Sequence, residues 1–454
     1  MQKQFKLLDK EIIHDSQHLF QSSVCDGNIY YGRIKGISVT NEGVTITLFH
    51  SQFATEKTFH IETFDFNEGI KLKRGDIIAL DGISESSNEI RKIILLNSCA
   101  LFPEVENWEA KKAATHREAD VILNNQVMQN MQKRNMIVFG IREFLQKRNF
   151  CEVELPVLKK FPDIAPADHF EIANAKGFSN LFVRTTFPPF ERLMVGFEKA
   201  YTIGPNFRNG DFSYKNLPEF YMFCTTVIGK HYLWTAKLIQ TMFGELAQKI
   251  NGSTKVSYNG NEYDISKWDE VELSSAFQKH LNYNINELDS DENLTSLCER
   301  EKIEIPDNAR KFKGHMFRAI LFDLIFEQKI VVHYKNPTFF YEVPWYLAGP
   351  AEPIKNNPFL KHRGEGYIGG MELMNAKCVL TSIEKTEHWH RTITDEKKRL
   401  DFGKYAERDS AFMNSVNFGF FPGSLASFGL DRLIMLLLGN TNISDVTMYP
   451  LIKD

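Results

Sequence analysis

The stretch Phe418 to Leu438, FGFFPGSLASFGLDRLIMLLL, constrains this chain more than any other. Pro422, Gly423, Ser424, Ser427 and Gly429 make its first half turn-rich, and an apolar helical pattern follows until Gly439 and Asn440 stop it. One arginine, Arg432, falls in the first turn of that helix. A cation gains nothing from the helix dipole at that end, so its position points to an anionic partner. Free backbone N–H groups at a helix start and the planar donor fork of arginine both suit phosphate. The alternative is an exposed arginine lying over its own aliphatic stem.

A chain of 454 residues is too long for one ordinary core, so two or three domains are expected. Residues 1–23 read as a polar extension. Residues 24–104 carry short strands with frequent breaks: NIYYGRIKG, VTITLFHS, KTFHIETF, IIALDG after the turn KRGD, and EIRKIILLN. Five such strands predict a small β-barrel, with the OB-fold as the leading candidate. Phe49, Tyr30 and Tyr31 are then either stacking platforms for single-stranded nucleic acid or filling for the barrel.

Residues 105–130 read as a charged linker, and 131–454 as a large mixed domain with a peripheral insertion at about 231–305. Ile137, Val138, Ile141, Phe144 and Leu145 recur at helical spacing. AYTIGPNFRNG and PEFYMFCTTVIG read as antiparallel strands joined by the polar loop 209–217, with Arg208 at its base. HMFRAILFDLIFEQ reads as a mostly buried helix. The fold class expected is α+β.

A net charge of -4 gives no global attraction to nucleic acid. The six cysteines, at 25, 99, 151, 224, 298 and 378, form no CxxC pair, which speaks against a zinc site or disulfide framework and fits a cytoplasmic protein. No apolar run is long enough for a membrane span, and the N-terminus lacks a secretory pattern.

EVELPVL after a long helix, then AYTIGPNFRNG with NLPEFYMF, then SLASFGLDRLIMLLLGNTNISDVTMYP resemble, in order, motifs 1, 2 and 3 of the class II aminoacyl-tRNA synthetases. The chain is most similar to the lysyl/aspartyl/asparaginyl subgroup, and to lysyl members above all. The resemblance implies an antiparallel six-stranded sheet with helices, an N-terminal OB-fold barrel and a homodimer. It implies ATP and Mg²⁺ as cofactors and an amino acid or related carboxylic acid as substrate, with tRNA a possible acceptor through the barrel. By the same resemblance Arg208 would meet the α-phosphate and Arg432 the γ-phosphate, both as catalytic groups. Phe220 would stack on adenine, with Lys215 and Glu219 completing the ATP site.

Departures from the family pattern are concentrated. Lys215 and Asn216 replace an arginine–histidine pair, and Asn375-Ala376-Lys377-Cys378 stands where lysyl enzymes read asparagine-glycine-x-glutamate. Cysteine is a poor ligand for a hard cation, which leaves Glu372 and Glu384 as candidate metal ligands. The acyl-substrate pocket maps onto Ala165, Arg184, Thr185, Thr186 and Cys378, so either Glu191 or another acid meets an α-ammonium or the activated molecule lacks a free α-amine there. Residues 39–43, VTNEG, lack the basic turn that grips an anticodon stem. Three readings stand: a ligase acting on an acceptor other than a standard tRNA, a divergent tRNA synthetase, and a non-catalytic ATP-binding regulator.

Overall fold

The computed structural model describes residues 3–7, 12–14, 29–40, 43–50, 55–61, 71–81, 89–90, 92–100, 102, 114–163, 169–173, 175–177, 181–186, 188–210, 212–399 and 409–451. The chain divides into two compact units, Met1–Met131 and Gln132–Asp454.

The first unit is built on β1 (Lys3–Leu7), β2 (Ile12–His14), β3 (Ile29–Thr40), β4 (Gly43–His50), β5 (Thr55–Ile61), β6 (Ile77–Asp81), β7 (Glu89–Ile90) and β8 (Lys92–Asn97). Five of them pair antiparallel in the order β8-β6-β3-β4-β5. Period-two alternation decides which side chains face inward: Val44, Ile46 and Leu48 join the core, whereas Thr47 meets Thr58 across the other face at 3.1 Å. The expected N-terminal extension is not separate from the sheet. β1 pairs parallel with β5 and with β7, and β2 pairs parallel with β8.

The aromatics considered for stacking are divided between the two faces of the sheet. Phe49 is buried, Tyr30 lies edge-on to Phe59 at 5.0 Å, and Tyr31 packs against the Ala79, Ile94 and Leu96 cluster. The KRGD turn is held by Asp76, fully buried, whose carboxylate accepts from the Lys73 and Cys99 N–H groups at 2.9 and 2.8 Å and from Ser98 Oγ at 3.2 Å. Gly75 in that turn has φ +95°, and a Cβ there would sit 2.6 Å from Phe102. Part of the expected linker is helical: Arg117–Leu123 is followed by Asn125–Gln146, while 105–113 lie outside the described residues.

The second unit adds β9 (Cys151–Glu152), β10 (Leu158–Lys159), β11 (Glu171–Ile172), β12 (Leu181–Val183), β13 (Lys199–Phe207), β14 (Glu219–Ile228), β15 (Lys255–Tyr258), β16 (Asn261–Asp264), β17 (Asp269–Glu272), β18 (Thr338–Pro344), β19 (Pro353–Ile354), β20 (Asn357–Ile368), β21 (Met371–Cys378) and β22 (Gly423–Gly429). Its main sheet runs β17-β18-β20-β21-β22-β14-β13-β9, with β19 beside β20, and so has nine strands among the described residues where six were expected. The six from β18 to β13 are mutually antiparallel, and β17 and β9 extend the edges in parallel. The segment 423–429, turn-rich by composition, is a central strand. Its neighbours on both sides satisfy the backbone groups, so the weak propensity of its glycines and serines is overridden.

One sheet face is covered by helices. Ile137, Ile141, Phe144 and Leu145, together with Ile239, Phe243 and Leu246 of helix Tyr232–Asn251 and Leu433 and Ile434 of helix Leu430–Leu437, bury Phe223, Ala376, Ala426 and Phe428 of the strands. Residues 231–305 are therefore not a peripheral insertion. The first helix of that span packs on the sheet, and β17 joins it. Its polar stretch 253–264 forms the hairpin β15–β16. No helix among the described residues is long and apolar enough to cross a membrane.

Candidate functional site

The other sheet face opens into a cavity of about 850 Å³ within the second unit. Alternation along the strands delivers its floor: Met222 and Cys224 from β14, Leu425 and Ser427 from β22, Asn375 and Lys377 from β21. Helix His315–Ile325, the segment 345–350 and helix Ile383–Arg399 supply further wall residues, among them Asp323, Trp345 and Trp389.

Two arginines stand at one end. Arg208 follows β13, and its N–H closes the loop 209–217 by donating to the Pro218 carbonyl at 2.9 Å. Its guanidinium lies 5.5 Å over the Phe220 ring and donates from Nε to the Thr185 carbonyl at 3.4 Å. The side chain is exposed to the cavity but walled by protein elsewhere. That desolvation draws its pKa down; Glu372 opposes the shift and Arg432 adds to it. Arg432 donates to the Glu372 carbonyl at 2.8 Å, to Asn216 Oδ1 at 2.8 Å and to the Lys215 carbonyl at 3.4 Å, and the Glu372 carboxylate is 3.6 Å away.

The neighbour of Arg432 sets this end in place. Asp431 is buried, accepts the Tyr221 N–H at 2.6 Å and pairs with Arg134 at 2.6 Å. Burial raises the Asp431 pKa, with Arg134 opposing. The helix start, strand β14 and helix Asn125–Gln146 are thereby tied together.

Of four acids in the cavity wall, sequence reasoning named only Glu372. Asp323, Glu327, Glu365 and Glu372 all line the cavity. Desolvation, then Glu365, Glu327 and Glu372, push the Asp323 carboxyl well above the carboxylate range. Burial likewise raises Glu365, against the pull of Arg363 at 2.7 Å. Asp323 and Glu327 stand four residues apart in the mostly apolar HMFRAILFDLIFEQ, and that spacing was the signal available. Glu327 sits in a π-helical turn, Phe326–Ile330, that ends the helix.

The expected metal pair does not form part of one lining: Glu372 reaches the cavity, but Glu384 is exposed at the start of helix Ile383–Arg399 and outside it. Among the described residues no group of three His, Cys, Asp or Glu is placed to hold a metal. Glu219 is exposed at the start of β14, also outside the lining, whereas Lys215 lines the cavity.

The expected acyl pocket is largely corrected. Arg184 is buried and donates to the Leu155 carbonyl at 3.0 Å, Pro156 at 3.2 Å and Pro205 at 3.1 Å, because a guanidinium taken out of water must spend its donors. Burial lowers its pKa to about 10. Thr185 is buried on Asp163, to which its N–H and Oγ1 donate at 2.7 and 2.9 Å. Thr186 does line the cavity, and Ala165 lies outside the described residues. Cys378 packs toward the helix-covered face; its neighbour Lys377 points into the cavity, one residue being enough to reverse the face. Lys377 pairs with Glu191 at 2.6 Å, both side chains nearly buried, so Glu191 is not free for a substrate ammonium.

The sequence profile of tRNA synthetases class II (D, K and N) matches residues 109–453. The chain belongs to this family. Similar proteins include the lysine–tRNA ligase of Fervidobacterium nodosum, 31% identical over 394 residues, 84% of this chain and 75% of the relative. That of Thermosipho africanus is 31% identical over 403 residues, 86% and 77%. That of Clostridium perfringens (strain 13 / Type A) is 30% identical over 362 residues, 78% and 71%. In this class II chain Arg208 and Arg432 face one cavity; of the departures from the lysyl pattern, Lys215 and Asn216 sit against Arg432, Asn375 and Lys377 lie on the floor, and Cys378 faces the other way.

Proposed function

We propose that this protein is an adenylate-forming ligase. It activates an amino acid or related carboxylic acid with ATP and passes the acyl group to an acceptor other than a standard tRNA. The observation that carries the reading is the convergence of Arg208 and Arg432 on one cavity, with Phe220 beneath Arg208. A carboxylate oxygen of the substrate attacks the α-phosphorus, the bond from that phosphorus to the bridging oxygen breaks, and pyrophosphate leaves. Arg208 stabilises charge on the attacked phosphate, and Arg432 holds the far end of the triphosphate. Phe220 offers its ring to the adenine. The acceptor nucleophile then attacks the acyl carbon and AMP departs.

Mg²⁺ commonly binds through one or two carboxylates plus substrate phosphates. Glu372, 3.6 Å from Arg432, is the carboxylate suited to that mode. Bound with the triphosphate, Mg²⁺ supplies neutralisation of phosphate charge. Carboxylic-acid-dependent exchange of pyrophosphate into ATP tests the reading: wild type exchanges and Arg208→Ala loses ~10²–10³-fold. Exchange undiminished in that variant contradicts it.

A second reading, transfer to tRNA, is favoured by the first unit. Its strand order β8-β6-β3-β4-β5 suits an OB-fold, a barrel that commonly holds oligonucleotides. Charging of total tRNA with the acid that supports exchange would establish this reading, and exchange without charging would exclude it.

A further inference from the structure

We propose that the recess between helix His315–Ile325 and helix Ile383–Arg399 selects a carboxylic acid with a bulky apolar group, aromatic or branched aliphatic. The proposal rests on the adenylate-forming reading and names its substrate class. Helical spacing supplies the geometry. Met316, Ala319 and Ile320 of the first helix and Trp389 and Ile393 of the second line the cavity, and in each helix the intervals of three or four residues put them on one face. Glu396, three residues beyond Ile393 on that face, accepts the Met316 N–H at 3.2 Å and pairs with His315. The tie holds both lining faces against one recess.

The surface of the recess is apolar and only partly covered. Met316, Ala319, Ile320, Trp345, Leu347 and Trp389 are all half-buried. Ala319, Ile320, Trp345 and Leu347 rest on the core that contains Phe322, Ile325 and Tyr346, so they are anchored behind and face the cavity in front. Trp345 spends its indole N–H on Asp289 at 2.8 Å, which leaves ring surface for the cavity. Phe412 closes the side toward His390, their ring centroids 5.4 Å apart. A concave apolar wall with few polar groups is the usual form of a small-molecule subsite.

Charges bordering the recess are matched within the protein: Lys377 by Glu191, Lys159 by Asp163 and His315 by Glu396. Asp323 and Glu327 come after these apolar turns in the chain and are grouped with Glu365 and Glu372. A charged group in the recess would exchange water for apolar carbon, whereas an apolar group gains by leaving water. The recess belongs to the same cavity as Arg208 and Arg432, so the molecule that fills it during adenylation is the acid itself. On the floor, the Lys377 ammonium carries more N–H groups than its pair with Glu191 uses, and these serve the acid's polar end.

Titration calorimetry on the full chain with a non-hydrolysable ATP analogue tests this, comparing phenylalanine, hydrocinnamate and leucine with alanine, aspartate, asparagine and lysine. At least one of the apolar acids is expected to bind about tenfold or more tighter than every member of the second group, the gain expected from burying such a side chain. Ala319→Phe fills the recess with a ring of its own, and Trp389→Ala removes part of its wall. In each variant the advantage should fall to about threefold or less while thermal unfolding stays cooperative. Tightest binding of alanine, aspartate, asparagine or lysine, or an advantage unchanged in both variants, overturns the proposal. Preference for an apolar acid without pyrophosphate exchange would overturn the adenylate reading and uphold the recess; exchange led by aspartate, asparagine or lysine would do the reverse.

Discussion

The two ends of the cavity differ in how they spend their charges. At the arginine end, Arg432 is fixed by a carbonyl, an amide oxygen and a second carbonyl, and the Glu372 carboxylate at 3.6 Å only partly offsets its charge. Arg208 is held by one carbonyl and lies over the Phe220 ring. At the far end, Lys377 is matched by Glu191 and Arg363 by Glu365. The first arrangement keeps positive charge available for an anion. The second keeps directed N–H groups with little net charge, which serves discrimination between small molecules more than attraction.

Removing the support beneath the arginine end should give the largest effect. Asp431→Ala strands Arg134 and frees the Tyr221 N–H, and a loss of about 3–5 kcal/mol of stability is expected by chemical denaturation. Little change would mean that this end is not held as described. Arg432→Ala should leave the fold intact and lower exchange ~10²–10³-fold, because its contacts are made at the cavity surface.

That arginine was legible in the sequence because a cation in the first turn of a helix breaks a local electrostatic rule. Arg208 was legible from its place at the base of a polar loop between two strands. The far end was not, although its signal was present. In Met371–Cys378 the polar Asn375 and Lys377 alternate with apolar Ala376 and Cys378, and that alternation places lysine, rather than cysteine, in the cavity. Glu191 could not be read at all, since its partner lies far away in sequence and only the folded sheet brings them together. Arg184 misled for a related reason: an arginine in a strand-rich segment looks available until the carbonyls that consume it are seen. In the fold, strands and the buried helix faces followed from periodicity. The place of 423–429 inside the sheet followed only from its neighbours, and the pairing of 3–7 with β5 and β7 had no local pattern to announce it.

A smaller effect concerns the acids between the two ends. Asp323 takes up its proton more readily in the folded chain than unfolded, so its contribution to stability is present at low pH and is lost as pH rises through its elevated folded value. Asp323→Asn should therefore reduce the loss of thermal stability between pH 5 and pH 8 by a few degrees at most, since the side chain faces cavity water. A wild-type slope in the variant would show that the carboxyl is ionised throughout.

The division of labour between the ends is tested most directly by steady-state exchange kinetics on wild type and Glu191→Met/Lys377→Met. The KM for the carboxylic acid should rise about tenfold or more in the variant while the KM for ATP stays within about twofold. Equal changes in both constants, or a change in the ATP constant alone, would contradict the account.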